Sequence, residues 1–210
     1  VALFLVGTLI TCTVSFPVGV RSAIFRGGMY DRSATLIAYV LISIPGFFFA
    51  YLMIIFAVNR FQVPVIGIQT FGMTEAPWFF RLNDRLWHLL LPSVLGATGG
   101  IAVLSRYVRS QMLEVESQDY VRTARAKGLP WEMVHYKHAL RNACIPVITV
   151  LGLQFGQLLG GAIVTETVFA WPGVATLTVE SIRNQDFPVV QCAVVMLSLI
   201  IVAVNLVVDL

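Results

Sequence analysis

Hydrophobic and polar positions divide this chain into five long apolar runs separated by four polar segments. The runs cover residues 1–20, 34–58, 86–104, 143–164 and 188–210, each close to or above the roughly 20 helical residues that a hydrocarbon core of about 30 Å requires. The polar segments must then alternate between the two sides of a membrane. Residues 21–32 and 105–142 share one side and hold ten of the 14 Lys and Arg residues, while 59–85 and 165–187 hold the other four. The positive-inside rule puts the basic side in the cytoplasm. The pattern predicts an all-α membrane protein, a polytopic helical bundle of five transmembrane helices without a sheet, whose first residue is outside and whose last is inside.

Within the runs, small and polar residues fall at helical spacing. Thr8, Thr11, Ser15 and Gly19 form a stripe in the first run suited to close helix packing. Ser43-Ile44-Pro45-Gly46 interrupts the second run near its middle, where proline removes a hydrogen bond, and predicts a kink. Gly96, Gly99 and Gly100 in the third run read as packing positions. In the fourth, Gly152, Gly156 and Gly160 repeat every four residues, with Gln154, Gln157 and Gly161 on a neighbouring face. Side-chain amides in hydrocarbon need partners, so that face meets another helix or water, as a subunit interface, as a substrate pathway or as plain interhelical bonding. Gln191, Ser198 and Asn205 in the last run, seven apart, predict a polar stripe facing the bundle interior. The outer segment 59–85 is dense in aromatics, among them Trp78, Phe79, Phe80 and Trp87, as expected at the headgroup level. Glu166 stands at the outer mouth before Phe169-Ala170-Trp171-Pro172-Gly173 and a short helix to Ile182.

Composition agrees with a membrane assignment. Hydrophobic residues make up 58% of the chain and charged residues 12%, against about 25% charged in soluble domains, and the mean hydropathy is +0.83. Cys12, Cys144 and Cys192 lie far apart in apolar runs without metal-ligand spacing, so buried free thiols are expected and no disulfide. Neither Lys127 nor Lys137 sits in a phosphate-binding loop. His135 and His138 have no glutamate placed as in a His-Glu-x-x-His zinc site, and no Gly-x-Ser-x-Gly elbow occurs. No catalytic residue and no metal site are assigned. The chain opens inside an apolar run, which reads as a fragment rather than a signal peptide.

The longest polar stretch, residues 120–146, carries the densest information. Ser117 offers an oxygen to cap a helix start and Asp119 places negative charge in the first turn. Gly128 and Pro130 supply the stop. Tyr120 or Val121, Ala124 and Gly128 recur on one face, while Arg122 and Arg125 lie on another. A second helix from Pro130 through Trp131 to Asn142 would return to the membrane. Two short basic helices hinged at a glycine make a docking surface, although a basic cytoplasmic loop is also what topology alone demands.

The wording of this loop, YVRTARAKGL followed by HALRNA and a proline, resembles the cytoplasmic loop of ABC-transporter permease subunits, most closely the dipeptide, oligopeptide and nickel branch. Ala124, Gly128 and Leu140 also match the general permease signature, whose Glu, Ile and Pro are replaced here. The likeness extends through SRYVRSQMLEV at 105–115, GLQFGQLLGGAIVTETVFAWPG at 152–173, and DFPVVQ and NLVVDL near the end. It implies a type I ABC importer permease domain over 1–210, lacking the family's N-terminal helix, with a cytoplasmic coupling loop at 105–142. The family's coupling helix corresponds to Tyr120, Val121, Arg122, Thr123, Ala124, Arg125, Ala126, Lys127, Gly128 and Leu129, which would contact an ATPase subunit. Glu166, Trp171, Pro172 and Gly173 would lie near an extracytoplasmic gate. The resemblance further implies two ATPase subunits supplying ATP and Mg, a second permease subunit, an external substrate-binding protein, a lipid bilayer and no nucleic acid. The setting would be a prokaryotic inner membrane. Peptides are the implied substrate, with nickel or another small solute as the alternative; a channel or sensor working without an ATPase is the rival from another class.

Overall fold

The computed structural model describes the backbone of residues 2–62, 65–130 and 133–209, without the side chains of 137–138, 153–162 and 208–209. Eight α-helices follow one another: α1 (Ala2–Ile24), α2 (Met29–Ser43), α3 (Gly46–Phe61), α4 (Trp78–Glu116), α5 (Asp119–Ala126), α6 (Leu140–Val168), α7 (Val174–Arg183) and α8 (Phe187–Asp209). Among the described residues there is no strand. Helices α1, α4 and α8 are each long and apolar enough to cross a membrane, and α2 with α3 is so when the pair is taken together.

The main contact is between α1 and α4, and its register runs parallel. Thr11 Oγ1 reaches the carbonyls of Gly7 and Ala97 at 2.9 and 3.4 Å, and Ser15 Oγ donates to the carbonyl of Ile101 at 3.5 Å. One turn further on, Gly19 lies against Ser105 and Val108. Rising numbers on α1 therefore meet rising numbers on α4. The expected stripe is the packed face: Thr11, Ser15 and Gly19 are buried. Of the third run's glycines, Gly100 sits beside Thr11, but a side chain at Gly96 or Gly99 would meet nothing within 4 Å. Only the glycine on the α1 side is a packing position.

Parallel packing dictates the path between the two helices, because the chain must return to its starting side before α4 begins. The α2–α3 pair makes that return. Where a kinked single span was expected, the chain breaks into two helices bent by 104° at Ile44-Pro45. Pro45 lacks an N–H and Ile44 takes an extended conformation, ψ 124°, so the helical ladder stops rather than bends. Helix α2 is fixed to the inner part of α4 by Asp31 and Arg109, and α3 packs Ala50 against Leu95 and Phe169.

Helix α4 has 39 residues, about 58 Å at 1.5 Å per residue, and extends past the apolar run at both ends. The expected cytoplasmic loop thus begins as helix, through Glu116. Helix α6 runs against α4: its approach at His135 touches Glu116, and Phe169 beyond its end packs with Leu95. Leu104, Val108 and Met112 of α4 share a buried cluster with Val20 and Ala23 of α1 and Ala143 and Val147 of α6. Helix α8 contacts α6 and α7 and is otherwise bare.

The tightest approach in this frame is at Gly19, where a Cβ would come 2.6 Å from the Ser105 carbonyl and 2.7 Å from Val108 Cβ. Gly19→Leu is expected to destabilise the bundle by about 2 kcal/mol or more through overpacking. Gly7→Ala, whose Cβ would sit at an ordinary 3.4 Å from Ser93, should cost far less; thermal unfolding of the two variants in detergent checks the ranking.

Candidate functional site

The inner surface is built on a short, strongly two-faced helix. Val121 and Ala124 of α5 point back into the protein and pack with Val134, Val115 and Leu129. Arg122, Thr123, Arg125, Ala126, Lys127 and Gly128 are exposed, and so is Tyr120. The ten expected contact residues therefore divide: Val121 and Ala124 seat the helix, Leu129 is half-buried, and the rest form a basic outer face. Gly128 adopts φ +74°, a left-handed conformation that costs other residues about 1–2 kcal/mol, and ends the helix as expected.

Two details differ from expectation. Ser117 does not cap α5, since its backbone stays helical at the end of α4 and its Oγ donates to the Glu114 carbonyl at 2.7 Å. Gln118 occupies the α5 N-cap without a side-chain bond. The helix expected from Pro130 towards Asn142 does follow, with the Val134 N–H bonded to the Pro130 carbonyl at 3.1 Å, but it is not a separate short helix. Residues 131–132, Trp131 included, lie outside the described residues, and a π-helical stretch, Met133–Ala139, runs straight into α6.

Three contacts tie this surface to the spans. Glu116, the last residue of α4, lies 3.2 Å from His135 Nε2 and 3.9 Å from Arg125 Nη2. Asn142 Nδ2 of α6 donates to Tyr120 Oη at 2.8 Å. Glu116 escaped sequence reasoning, although an acid between two basic segments is a signal for an ion pair. The contact between Arg122 and Asp119, 3.7 Å, is fully solvated and contributes little.

At the outer end Glu166 is buried and works as a cap. Its Oε2 accepts the Thr176 N–H at 2.8 Å and the Thr176 hydroxyl at 3.0 Å, satisfying an otherwise unpaired donor in the first turn of α7. Gly173 makes room, because a side chain there would collide with the Glu166 carboxylate. Trp171 N–H returns to the Glu166 carbonyl at 2.8 Å, and Gly67 N–H donates to the Phe169 carbonyl at 2.8 Å. So Glu166, Trp171 and Gly173 are brought together, with Pro172 in the same short link, and the outer segment is pinned to the end of α6. Close by in the chain, Asp84 accepts the Thr70 N–H at 2.7 Å and the Thr70 hydroxyl at 2.5 Å, and carries a buried His88 one turn on. Sequence reasoning missed Asp84 and His88.

The central residues are less connected. The side chains of Gln154, Gln157 and Gly161 lie outside the described residues. Gln191 and Ser198 are exposed and Asn205 half-exposed, whereas Ala193 on the opposite face of α8 is buried. Within this chain the polar stripe thus faces away from the bundle, a correction to its expected inward orientation, because the small Ala193 is what packs.

The family described as "Binding-protein-dependent transport system inner membrane component" matches residues 15–210. The oligopeptide transport system permease protein AppB of Bacillus subtilis is 40% identical over 99% of this chain and 64% of its own length. The dipeptide transport system permease protein DppB of Escherichia coli K12 is 38% identical over 94% of this chain and 63% of its own. The chain thus spans just under two thirds of the curated relatives it matches. A solved structure of the inward-facing MetNI methionine ABC transporter shares the fold, with a TM-score of 0.76 and 18% identity over 99% of this chain and 88% of that one.

Two outcomes follow from the braces. Glu116→Ala should speed amide hydrogen exchange across residues 119–126 while leaving the middle of α4 protected, as measured by exchange mass spectrometry. Gly173→Ala should displace the Glu166 carboxylate and remove a helix cap worth about 1 kcal/mol, seen as several-fold faster exchange in the first turn of α7.

Proposed function

This chain belongs to the family of binding-protein-dependent transport system inner membrane components, and from that premise we propose that it is a permease subunit of an ATP-driven importer for di- and oligopeptides. As a family member it is a multi-pass membrane protein. The relatives named for oligopeptide, dipeptide, di/tripeptide and glutathione transport support a peptide substrate.

The observation that carries the reading is the seating of α5. Its apolar face is anchored on the permease by Val121 and Ala124, and its basic face, Arg122, Arg125 and Lys127, is turned to solvent. A helix held this way passes force applied to its outer face into α4 through Glu116 and into α6 through His135 and Asn142. In the proposed cycle two ATPase subunits bind ATP with Mg and close, and each carries a coupling helix with it. The spans then rock between inward-open and outward-open arrangements around a peptide delivered by an external binding protein at the Glu166 end. A second permease subunit completes the passage, with the outward stripe Gln191, Ser198 and Asn205 and the glutamines of α6 facing it or the substrate. No step of hydrolysis is assigned to this chain.

Charge reversal at Arg122 and Lys127 tests the docking without disturbing the buried face. In the full-length permease complex, Arg122→Glu with Lys127→Glu should abolish co-purification of the ATPase and peptide-stimulated ATP hydrolysis while elution of the permease itself is unchanged. Unaltered binding and hydrolysis would reduce the loop to a topological signal and bring the channel reading forward.

A further inference from the structure

The inner ends of α2 and α4 form a shallow, open cleft of about 430 Å³ lined by Asp31, Arg32, Thr35, Leu36, Tyr39 and Arg109. Its charges are arranged rather than scattered. Asp31 is buried and both of its oxygens are engaged: Oδ1 accepts Arg109 Nε at 2.6 Å, and Oδ2 accepts Arg109 Nη2 at 2.8 Å and the Gly27 N–H at 2.8 Å. The acid therefore orients Arg109 at the cleft, and Nη1 of Arg109 remains for another acceptor. Arg106, one turn before it, lies 4.2 Å from the Tyr39 ring centroid and donates to Tyr39 Oη at 2.9 Å. Among the described residues neither Arg32 nor Arg106 has a carboxylate within 4.0 Å.

Two guanidinium groups on one cleft, those of Arg32 and Arg109, with a third, Arg106, held on the ring of its Tyr39 wall and Asp31 already satisfied, call for an anion carrying several acceptor oxygens. The position narrows the choice. The cleft lies at the basic, inner boundary of the bundle, and one wall continues as Leu36 and Val40, exposed and one helical turn apart on α2. A free phosphate gains nothing from that wall, whereas an acyl chain does. Basic pockets between spans on the cytoplasmic side are suited to anionic headgroups.

We propose that this cleft binds an anionic phospholipid, its phosphate held by Arg32, Arg106 and Arg109 and its acyl chain laid along Leu36 and Val40. The site is distinct from the coupling surface and does not depend on how α5 is read. A lipid seated there bridges α2 to α4 at the level where the Asp31–Arg109 pair already joins them.

The test uses the full-length permease complex exchanged into phosphatidylcholine nanodiscs containing phosphatidylglycerol, with retained lipid read by native mass spectrometry. Arg32→Gln with Arg106→Gln alters two exposed side chains and leaves the Asp31–Arg109 pair intact. Retention of phosphatidylglycerol is expected to weaken about fivefold for each arginine removed, while Arg183→Gln at the outer end leaves it unchanged. Equal retention in the double variant and the parent overturns the site. Inorganic phosphate added as a competitor should not displace the lipid; if it does, and also binds in phosphatidylcholine alone, the cleft is a free-anion site and the lipid assignment fails.

Discussion

The parallel contact between α1 and α4 is the constraint on which the remaining structure rests. Two helices in the same direction cannot be neighbours in sequence unless the chain between them crosses back, so this contact alone fixes α2 and α3 as a return path. Its chemistry is modest: a glycine, a serine and a threonine let two backbones approach, and hydroxyl groups donate to carbonyls on the same and the facing helix. In a hydrocarbon environment, where apolar surface gains nothing by leaving lipid, close backbone approach and such bonds are what remain to hold helices together. The inner cluster of Leu104, Val108 and Met112 with Val147 then brings α6 onto the same frame.

At both ends of that frame, acids perform structural work. Glu116 ties the end of α4 to α5 and to the approach of α6; Glu166 ties the end of α6 to the start of α7; Asp31 ties α2 to α4. Each sits near a helix end, and Asp31 and Glu166 also accept backbone N–H groups, those of Gly27 and Thr176. The two ends of α6 are thereby braced to different partners, so a displacement of the inner loop is not absorbed by slack chain before it reaches a span.

Much of this was legible in the sequence, and what was not has physical causes. Hydropathy marks where a chain is apolar, so it located α1, the α2–α3 pair, α4 and α8 as candidate spans, but it could not show that α4 continues as helix through Arg106, Arg109 and Glu116, since polar residues extend a helix into water as readily as they form a loop. The stripe through Thr11, Ser15 and Gly19 was readable because small residues at helical spacing have one main use in a membrane. The stripe through Gln191 and Ser198 misled as to direction, because polarity says that a face wants a partner without saying whether the same chain provides it. Val121 and Ala124 were recognisable as one face of a helix, yet only tertiary packing shows that this face is turned inward. Glu166 was noted at the outer mouth without its capping role, and Asp31 was missed because its partner, Arg109, is 78 residues away.

The break at Ile44-Pro45 carries a consequence for the membrane itself. It lies between Tyr39, which touches Arg106, and Ala50, which packs beside Leu95, and so at a depth where lipid offers no hydrogen bonds. The last carbonyls of α2 and the first amides of α3 have no place in a helical ladder. Such groups are tolerated at that depth only against protein or water. The elbow is thus a gap in the lipid-facing wall of the bundle, a spot where the hydrocarbon must give way to solvent or to a neighbouring chain.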